Sequence, residues 1–148
     1  MRYVDPRVES DQLIHQAVAR GDIGTVSQYL AGGGSPNVLD RFDCEPLYTA
    51  VKYDRLEIAE LLLAAGGNIS RRSKFRGNAL GAACWNWNER MIDFCLKAGV
   101  DINELYEGLT VLDSVESQRA HLADEDLLKW QATCEKLIAL GARRGSEL

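Results

Sequence analysis

Histidine, long apolar runs and patterned cysteines are scarce in this chain of 148 residues. Its two histidines, His15 and His121, belong to no nucleophile-elbow, phosphate-loop or metal-binding motif. No apolar run after Met1 has the length of a signal peptide, and none could span a bilayer. We therefore expect a non-catalytic, cytoplasmic protein that needs no cofactor and contacts no membrane.

The cysteines lack a recognisable spacing. Cys44, Cys84, Cys95 and Cys134 are separated by 40, 11 and 39 residues, which is typical of neither zinc ligands nor thioredoxin-like motifs. In the reducing cytosol such cysteines are mostly free and serve as small buried apolar residues. The four thiols are therefore expected to be reduced and structural, with no metal bound.

Positive charge is in the minority, with 17 Lys and Arg against 22 Asp and Glu. Four cations nevertheless cluster at Arg71, Arg72, Lys74 and Arg76. An acidic chain with so short a basic patch would release few counterions from a nucleic acid. The cluster favours a partner protein with an acidic patch, and an ordinary solvated run of charges is the alternative.

What the chain does contain is a repeat of 33 residues. The pattern leucine, two residues, glycine occurs from Leu30 to Gly33, from Leu63 to Gly66 and from Leu96 to Gly99. Alanines recur with the same period at Ala17, Ala50 and Ala83. A unit of this size cannot bury its own apolar face, so the copies are expected to stack.

The repeat is similar to the ankyrin repeat, whose pattern opens on Thr-Pro-Leu-His and closes on a glycine followed by Asp-x-Asn. The second copy reads Glu45-Pro46-Leu47-Tyr48, and the third closes on Gly99-Val100-Asp101-Ile102-Asn103. The resemblance covers roughly residues 12 to 145. It implies an all-α solenoid of four helix-turn-helix units joined by β-hairpin-like loops. Because no copy keeps the whole opening tetrapeptide, its hydrogen bonds are expected to be mostly absent.

The resemblance further implies one domain over residues 1–148, with repeats at about 12–43, 44–76, 77–107 and 108–145. Helix pairs are expected to begin near Leu13, Pro46, Ala79 and Val111. The glycines at 33, 66 and 99 should end each pair as left-handed caps.

The fourth repeat is longer by ten residues, which fall between Glu116 and Asp126. This insertion is expected to form a longer first helix or a loop, before a last helix that Asp124 can cap. It either covers the end of the array, as terminal repeats commonly do, or contacts a partner directly.

A binding surface also follows from the resemblance. In ankyrin arrays the hairpin tips and the exposed ends of the first helices form a concave face. Aromatic residues beside arginine in such exposed places are typical of interface hot spots. The candidate partner-binding residues are Arg41, Phe42, Lys52, Tyr53, Lys74, Phe75, Arg76, Trp85, Asn86, Tyr106 and Glu107. The competing interpretation is that Trp85 or Trp87 packs into the stack, and His15 is expected to be structural.

Binding and inhibiting a partner protein is the simplest function for such a chain. Small stand-alone ankyrin proteins include cyclin-dependent kinase inhibitors of animal cells and bacterial proteins that neutralise toxins, some of them immunity proteins. The irregular repeats resemble the second group more. An adaptor joining two proteins is the alternative, and an accessory factor of an enzyme or a weak hydrolase around His121 is a third. No small-molecule substrate is expected.

Overall fold

The computed structural model describes the backbone of residues 6–148 and the side chains from residue 13 onward. Residues 1–5, where no signal peptide is expected, lie outside the described part. The helices are α1 (Pro6–Arg20), α2 (Ile23–Ala31), α3 (Pro46–Lys52), α4 (Leu56–Ala64), α5 (Ala79–Trp85), α6 (Glu89–Lys97), α7 (Val111–Ser117) and α8 (Leu127–Ala139). Short 3₁₀ helices span Gln118–His121, Asp124–Asp126 and Gly145–Glu147. The expected all-helical fold is confirmed.

Three of the expected helix-pair starts are confirmed, at Pro46, Ala79 and Val111. The first is wrong, because α1 begins at Pro6 rather than near Leu13. Proline favours the first turn of a helix, where its missing N–H needs no partner within the helix. This extension precedes the repeat and so leaves no trace in its period.

The chain divides into two compact units, residues 1–79 and 80–148. In the first, α1 packs against α2 and α3, and α3 packs against α4. Ile14, Leu47 and Leu62 are buried there. In the second, α7 packs against α8, and Leu112 and Leu137 are buried. That residues 1–148 form one domain stays a prediction.

Left-handed glycines follow the second helices, as expected. The φ angle is +85° at Gly33, +98° at Gly66, +104° at Gly99 and +95° at Gly141. Nothing lies within 4 Å of the place where a Cβ would stand at these four residues. The backbone conformation, rather than crowding, therefore demands glycine.

Three hairpin tips connect the helix pairs, and each is closed by backbone hydrogen bonds. In the first tip, residues 40–44, the Asp40 N–H donates to the Cys44 carbonyl at 2.9 Å. In the second, residues 73–77, the Ser73 N–H donates to the Gly77 carbonyl at 2.8 Å. The third tip, residues 106–109, is a two-residue hairpin with φ of +51° at Glu107 and +79° at Gly108, as in a type I′ turn.

The opening hydrogen bonds of the repeats are partly lost. Glu45 precedes α3 without a side-chain cap bond. Thr110, where the family's threonine survives, forms a reciprocal capping box with Asp113 at the start of α7. The Thr110 N–H bond is the main reason that the pKa of Asp113 is lowered. The expected loss therefore holds for α3 and fails for α7.

The insertion in the fourth repeat forms two 3₁₀ turns rather than a longer helix. The expectation that Asp124 caps α8 is wrong, because Asp124 lies inside the second turn and Asp126 takes the capping position. Three consecutive acids complement a helix dipole equally well, so their sequence does not encode which one begins the helix. Trp130 ties α8 to α7 by donating its indole N–H to the Val115 carbonyl at 2.7 Å. Within residues 6–148, no helix combines the length and apolarity needed to cross a membrane.

Candidate functional site

A cleft of about 360 Å³ lies in the first unit. It is bordered by α1, by α3 and by residues of the first two tips. Five of the candidate residues line this cleft: Arg41, Phe42, Lys52, Tyr53 and Arg76. The other lining residues are His15, Gln16, Ala19, Asp40, Cys44, Tyr48 and Thr49.

The helical wall of the cleft is held by His15. Its side chain is 8% exposed, and its Nε2–H donates to the Val38 carbonyl at 2.9 Å. This bond fixes the segment that leads into the first tip. The geometry agrees with the structural role expected for His15.

The first tip is shaped by Asp40. Its Oδ1 accepts hydrogen bonds from the backbone N–H groups of Phe42 at 2.8 Å and Cys44 at 2.9 Å. An aspartate that binds the backbone N–H two residues ahead forms an Asx turn, which orients the side chains between. Arg41 and Phe42 therefore sit on a constrained loop.

Ser73 joins the second tip to the first. Its hydroxyl, in a side chain 5% exposed, donates to the Phe42 carbonyl at 2.7 Å. The same oxygen accepts from the N–H groups of Phe75 at 3.1 Å and Arg76 at 3.2 Å. One buried hydroxyl thus fixes the positions of Phe42 and Arg76 relative to each other.

Asp43 provides a second link between the two tips. Its carboxylate accepts from the Lys74 N–H at 3.0 Å and from Arg71 at 2.9 Å, and Arg71 also donates to the Asp43 carbonyl. These bonds, the Lys74 N–H first, hold the pKa of Asp43 below its ordinary value. Arg71 also lies 3.6 Å from a carboxylate oxygen of Glu45, whose pKa is raised by burial. Arg71 therefore pairs with acidic residues of the fold. It does not act as one of the partner-binding cations that the basic cluster in the sequence suggests.

Cations outnumber acids around the cleft. The guanidinium carbons of Arg41 and Arg76 lie 4.9 and 4.5 Å from the centroid of the Phe42 ring, within the range of cation–π contacts. The Lys52 ammonium lies 5.3 Å from the centroid of Tyr53. Asp40, the acid among the lining residues, has its Oδ1 engaged with the first tip. The cleft is therefore suited to an anionic ligand.

The remaining candidates lie outside this cleft. Lys74 and Phe75 are on the second tip, where Phe75 is 70% exposed. Trp85, Asn86, Tyr106 and Glu107 are exposed residues of the second unit. Trp85 is 67% exposed while Trp87 is partly buried, so packing into the fold applies to Trp87.

All four cysteines are free and buried. Cys44 lines the cleft, and burial raises the pKa of its thiol. A thiol held protonated in this way is a poor nucleophile. Over the described part of the chain, no group of three or more His, Cys, Asp or Glu residues is arranged to hold a metal ion.

Four residues that shape the site are absent from the candidate list: Asp40, Asp43, Tyr48 and Ser73. Asp40 carries a local signal, because aspartate commonly forms an Asx turn with the residues that follow it. The contacts of Asp43 and Ser73 join residues about 30 positions apart, and no local pattern indicates them.

Comparison with known proteins decides the family. Residues 14–106 match the family model described as ankyrin repeats (3 copies). This chain belongs to the ankyrin-repeat family. Ankyrin repeats are protein–protein interaction modules, so the cleft and the tips lie in a fold that serves to bind proteins.

Several relatives of this chain are much longer than it is. Inversin of Gallus gallus is 31% identical over 124 residues, which are 82% of the chain and 11% of inversin. The 2-5A-dependent ribonuclease of Mus musculus is 38% identical over 68 residues, 45% of the chain and 9% of the ribonuclease. L-asparaginase of Dirofilaria immitis is 32% identical over 111 residues, 74% of the chain and 19% of that protein. The likeness therefore extends over a small part of each relative.

Proposed function

We propose that this ankyrin-repeat protein binds a partner protein through the cleft of its first unit and inhibits the partner by occupying it. The observation that carries the proposal is the set of hydrogen bonds from Asp40, Asp43 and Ser73. They hold the cleft's tips in place before any partner arrives. Preorganisation of this kind lowers the entropic cost of binding.

Exposed aromatic side chains supply most of the affinity in this proposal. Phe42, Tyr53, Phe75, Trp85 and Tyr106 are each at least 37% exposed, although solvation disfavours such side chains. Truncation of an interface hot spot typically costs about 2 kcal/mol or more, roughly thirtyfold in the dissociation constant. The charged candidates Arg41, Lys52, Lys74, Arg76 and Glu107 and the amide of Asn86 complete the binding set. Rim charges such as Lys74 steer association and make its rate depend on salt.

The partner is a cytoplasmic protein with an acidic patch that meets the cations of the cleft. A bacterial toxin bound by its immunity protein is one such pair, since a small ankyrin chain can block a toxin without catalysing anything. The non-catalytic role is supported by the family, whose repeats serve in protein binding.

An adaptor is the second candidate, and one observation favours it. The second unit has its own exposed aromatic residues, Trp85 and Tyr106, and neither is among the lining residues of the cleft. Two such surfaces could hold two different proteins, with the second unit binding the additional one.

The test captures partners from cells of the source organism on the tagged full chain. The wild type is compared with Phe42→Ala/Tyr53→Ala and with the matched control Glu57→Ala/Glu60→Ala, which changes exposed positions of α4. We expect one partner to be kept by the wild type and the control and lost by the cleft variant. The cleft is excluded if the correctly folded cleft variant keeps that partner.

Inhibition is tested next, on the captured partner. Its activity is measured while the wild-type chain is added to stoichiometric excess. We expect the activity to fall to background, and a saturated partner that remains fully active would favour the adaptor instead.

A further inference from the structure

The first two tips place two arginine side chains against one aromatic ring. We infer that this group, Arg41, Phe42 and Arg76, binds carboxylates of a short partner segment in which acidic residues flank an apolar side chain. We call these three residues the guanidinium platform. The inference rests on the proposed function and specifies the chemistry of the partner at the same cleft.

Three arginines donate hydrogen bonds to acceptors within the fold. Arg71 donates to Asp43, and Arg144 donates to both carboxylate oxygens of Glu116 at 2.6 and 2.8 Å. Arg55 donates twice to the Ala19 carbonyl, at 3.1 and 2.9 Å. The N–H donors of these side chains are therefore engaged by acceptors within the protein.

Arg41 and Arg76 differ, because each places its guanidinium over the Phe42 ring. Both guanidinium groups lie within 5 Å of the Phe42 centroid, and neither donates to a carboxylate or a carbonyl of the described residues. A guanidinium stacked on a ring keeps its N–H donors at the edge, in the fork geometry that matches a carboxylate. The platform therefore presents two oriented sites for carboxylates.

The platform is fixed before binding. Asp40 orients the loop that carries Arg41 and Phe42, and Ser73 holds the Phe42 carbonyl together with the Arg76 N–H. The Tyr48 hydroxyl donates to the Arg76 carbonyl at 3.4 Å. Little side-chain entropy remains to be lost at the ring when a ligand arrives.

The rest of the cleft indicates what accompanies the carboxylates. Tyr48, Tyr53 and Ala19 offer apolar surface beside the platform. The volume of about 360 Å³ is at the low end of the range for ligand pockets, which suits a few residues of an extended segment rather than a broad protein face. A nucleic acid fits less well, because three cations would release few counterions.

The test selects ligands without knowing the natural partner. Random dodecapeptides displayed on phage are selected on the immobilised full chain, and the selected peptides are synthesised. We expect them to carry two or more Asp or Glu residues within about four positions of an aromatic or aliphatic residue. Their affinity is then measured against three double variants.

Arg41→Gln/Arg76→Gln should weaken binding by about tenfold or more for each arginine, as expected for charge-assisted hydrogen bonds. Arg119→Gln/Arg143→Gln removes the same charge from the second unit, including an arginine stacked on Trp130, and should change affinity by less than about twofold. Arg41→Lys/Arg76→Lys keeps the charge but loses the planar fork, and should not restore wild-type affinity. Circular dichroism confirms that each variant is folded.

Several results would overturn the inference. Selected peptides that are uncharged or basic, yet need Tyr53 for binding, would reject carboxylate recognition and leave the cleft as the binding site. Full affinity of the lysine variant would reject the platform geometry in favour of charge alone. Self-association of the wild type in sedimentation, abolished by Arg41→Gln/Arg76→Gln, would assign the cleft to a second copy. The proposed function fails separately, if the captured partner is insensitive to every cleft variant.

Discussion

The two units of this ankyrin-repeat chain share one repeat and differ in charge. Residues 1–79 contain ten Lys and Arg and ten Asp and Glu, whereas residues 80–148 contain seven and twelve. The second unit therefore carries the whole net charge of −5. Both units keep the left-handed glycines that end the helix pairs. The repeat thus sets the fold, while the residues that vary between copies set what each surface can bind.

The hairpin tips of the two units also differ in how they are held. The first and second tips are joined to each other by Ser73 and Asp43. The third tip closes on itself through Tyr106 and Leu109, with side chains about half exposed. Two tips joined by hydrogen bonds can hold a shaped, charged cleft, whereas the third tip presents half-exposed apolar side chains. This contrast explains why the proposed site lies in the first unit.

The largest expected effect is on the alkylation rate of two buried thiols, compared between the native and the unfolded chain. Burial raises the pKa of Cys84 and Cys95, both in the second unit, from the ordinary 9.0 to about 12. Their thiolate fraction near neutral pH should fall about a thousandfold. Site-resolved alkylation followed by mass spectrometry should show both reacting at least that much more slowly in the native chain than in guanidinium. Rapid native reaction of either, or a disulfide, would contradict this.

The next largest effect is expected from a glycine-to-alanine change that distinguishes the first unit from the second. A Cβ at Gly67 would lie 2.8 Å from the Leu62 carbonyl oxygen, whereas the residue 33 positions later is Val100, so the second unit accommodates a side chain there. We expect Gly67→Ala to lower the free energy of unfolding by about 1–3 kcal/mol, measured in urea.

The matched control is Gly24→Ala in α2. A Cβ there has its nearest neighbour 3.7 Å away, and alanine favours a helix more than glycine does, by up to about 1 kcal/mol. The control should be neutral or stabilising. Equal destabilisation by both variants would refute the steric explanation.

Two asparagines should behave alike in the two units. Asn37 donates to the Gly66 carbonyl and accepts from the Asn68 N–H, and Asn103 does the same with Gly141 and Arg143. Alanine at either position should cost about 1 kcal/mol, as for a typical pair of exposed hydrogen bonds. Thermal unfolding of both variants checks this. A loss confined to one unit would show that the two bridges are not equivalent.

The smallest effect concerns acid stability of the first unit. Because hydrogen bonds lower the folded pKa of Asp43, its carboxylate stabilises the fold above the ordinary value of 3.8, and this contribution is lost as the pH falls below that value. Asp43→Asn tolerates the φ of +62° and removes the charge. The variant should be less stable than the wild type at pH 7 and approach it below pH 3.8. A difference that does not change with pH would point to lost geometry instead, and Glu57→Gln serves as the exposed control.

The local parts of the fold could be predicted from the sequence, and the contacts across the chain could not. The glycine caps and three helix starts follow from a period of 33, because glycine, proline and apolar spacing act on neighbouring residues. The solvent exposure of Phe42, Tyr53 and Trp85 also followed from their place in the repeat. The bonds from Ser73 to Phe42 and from Arg71 to Asp43 exist only once the tips meet. The sequence therefore predicts a basic cluster, although one of its four cations, Arg71, is paired with Asp43.

Hydrogen–deuterium exchange on the complex with the captured partner tests the central claim most directly, because it reports on both units at once. The partner should protect the backbone amides of residues 40–44 and 73–77 in the first unit and slow their exchange. Amides of α8 in the second unit, which contains none of the candidate binding residues, should change less. Protection confined to the second unit, with unchanged exchange in the first two tips, would contradict the assignment of the cleft as the binding site.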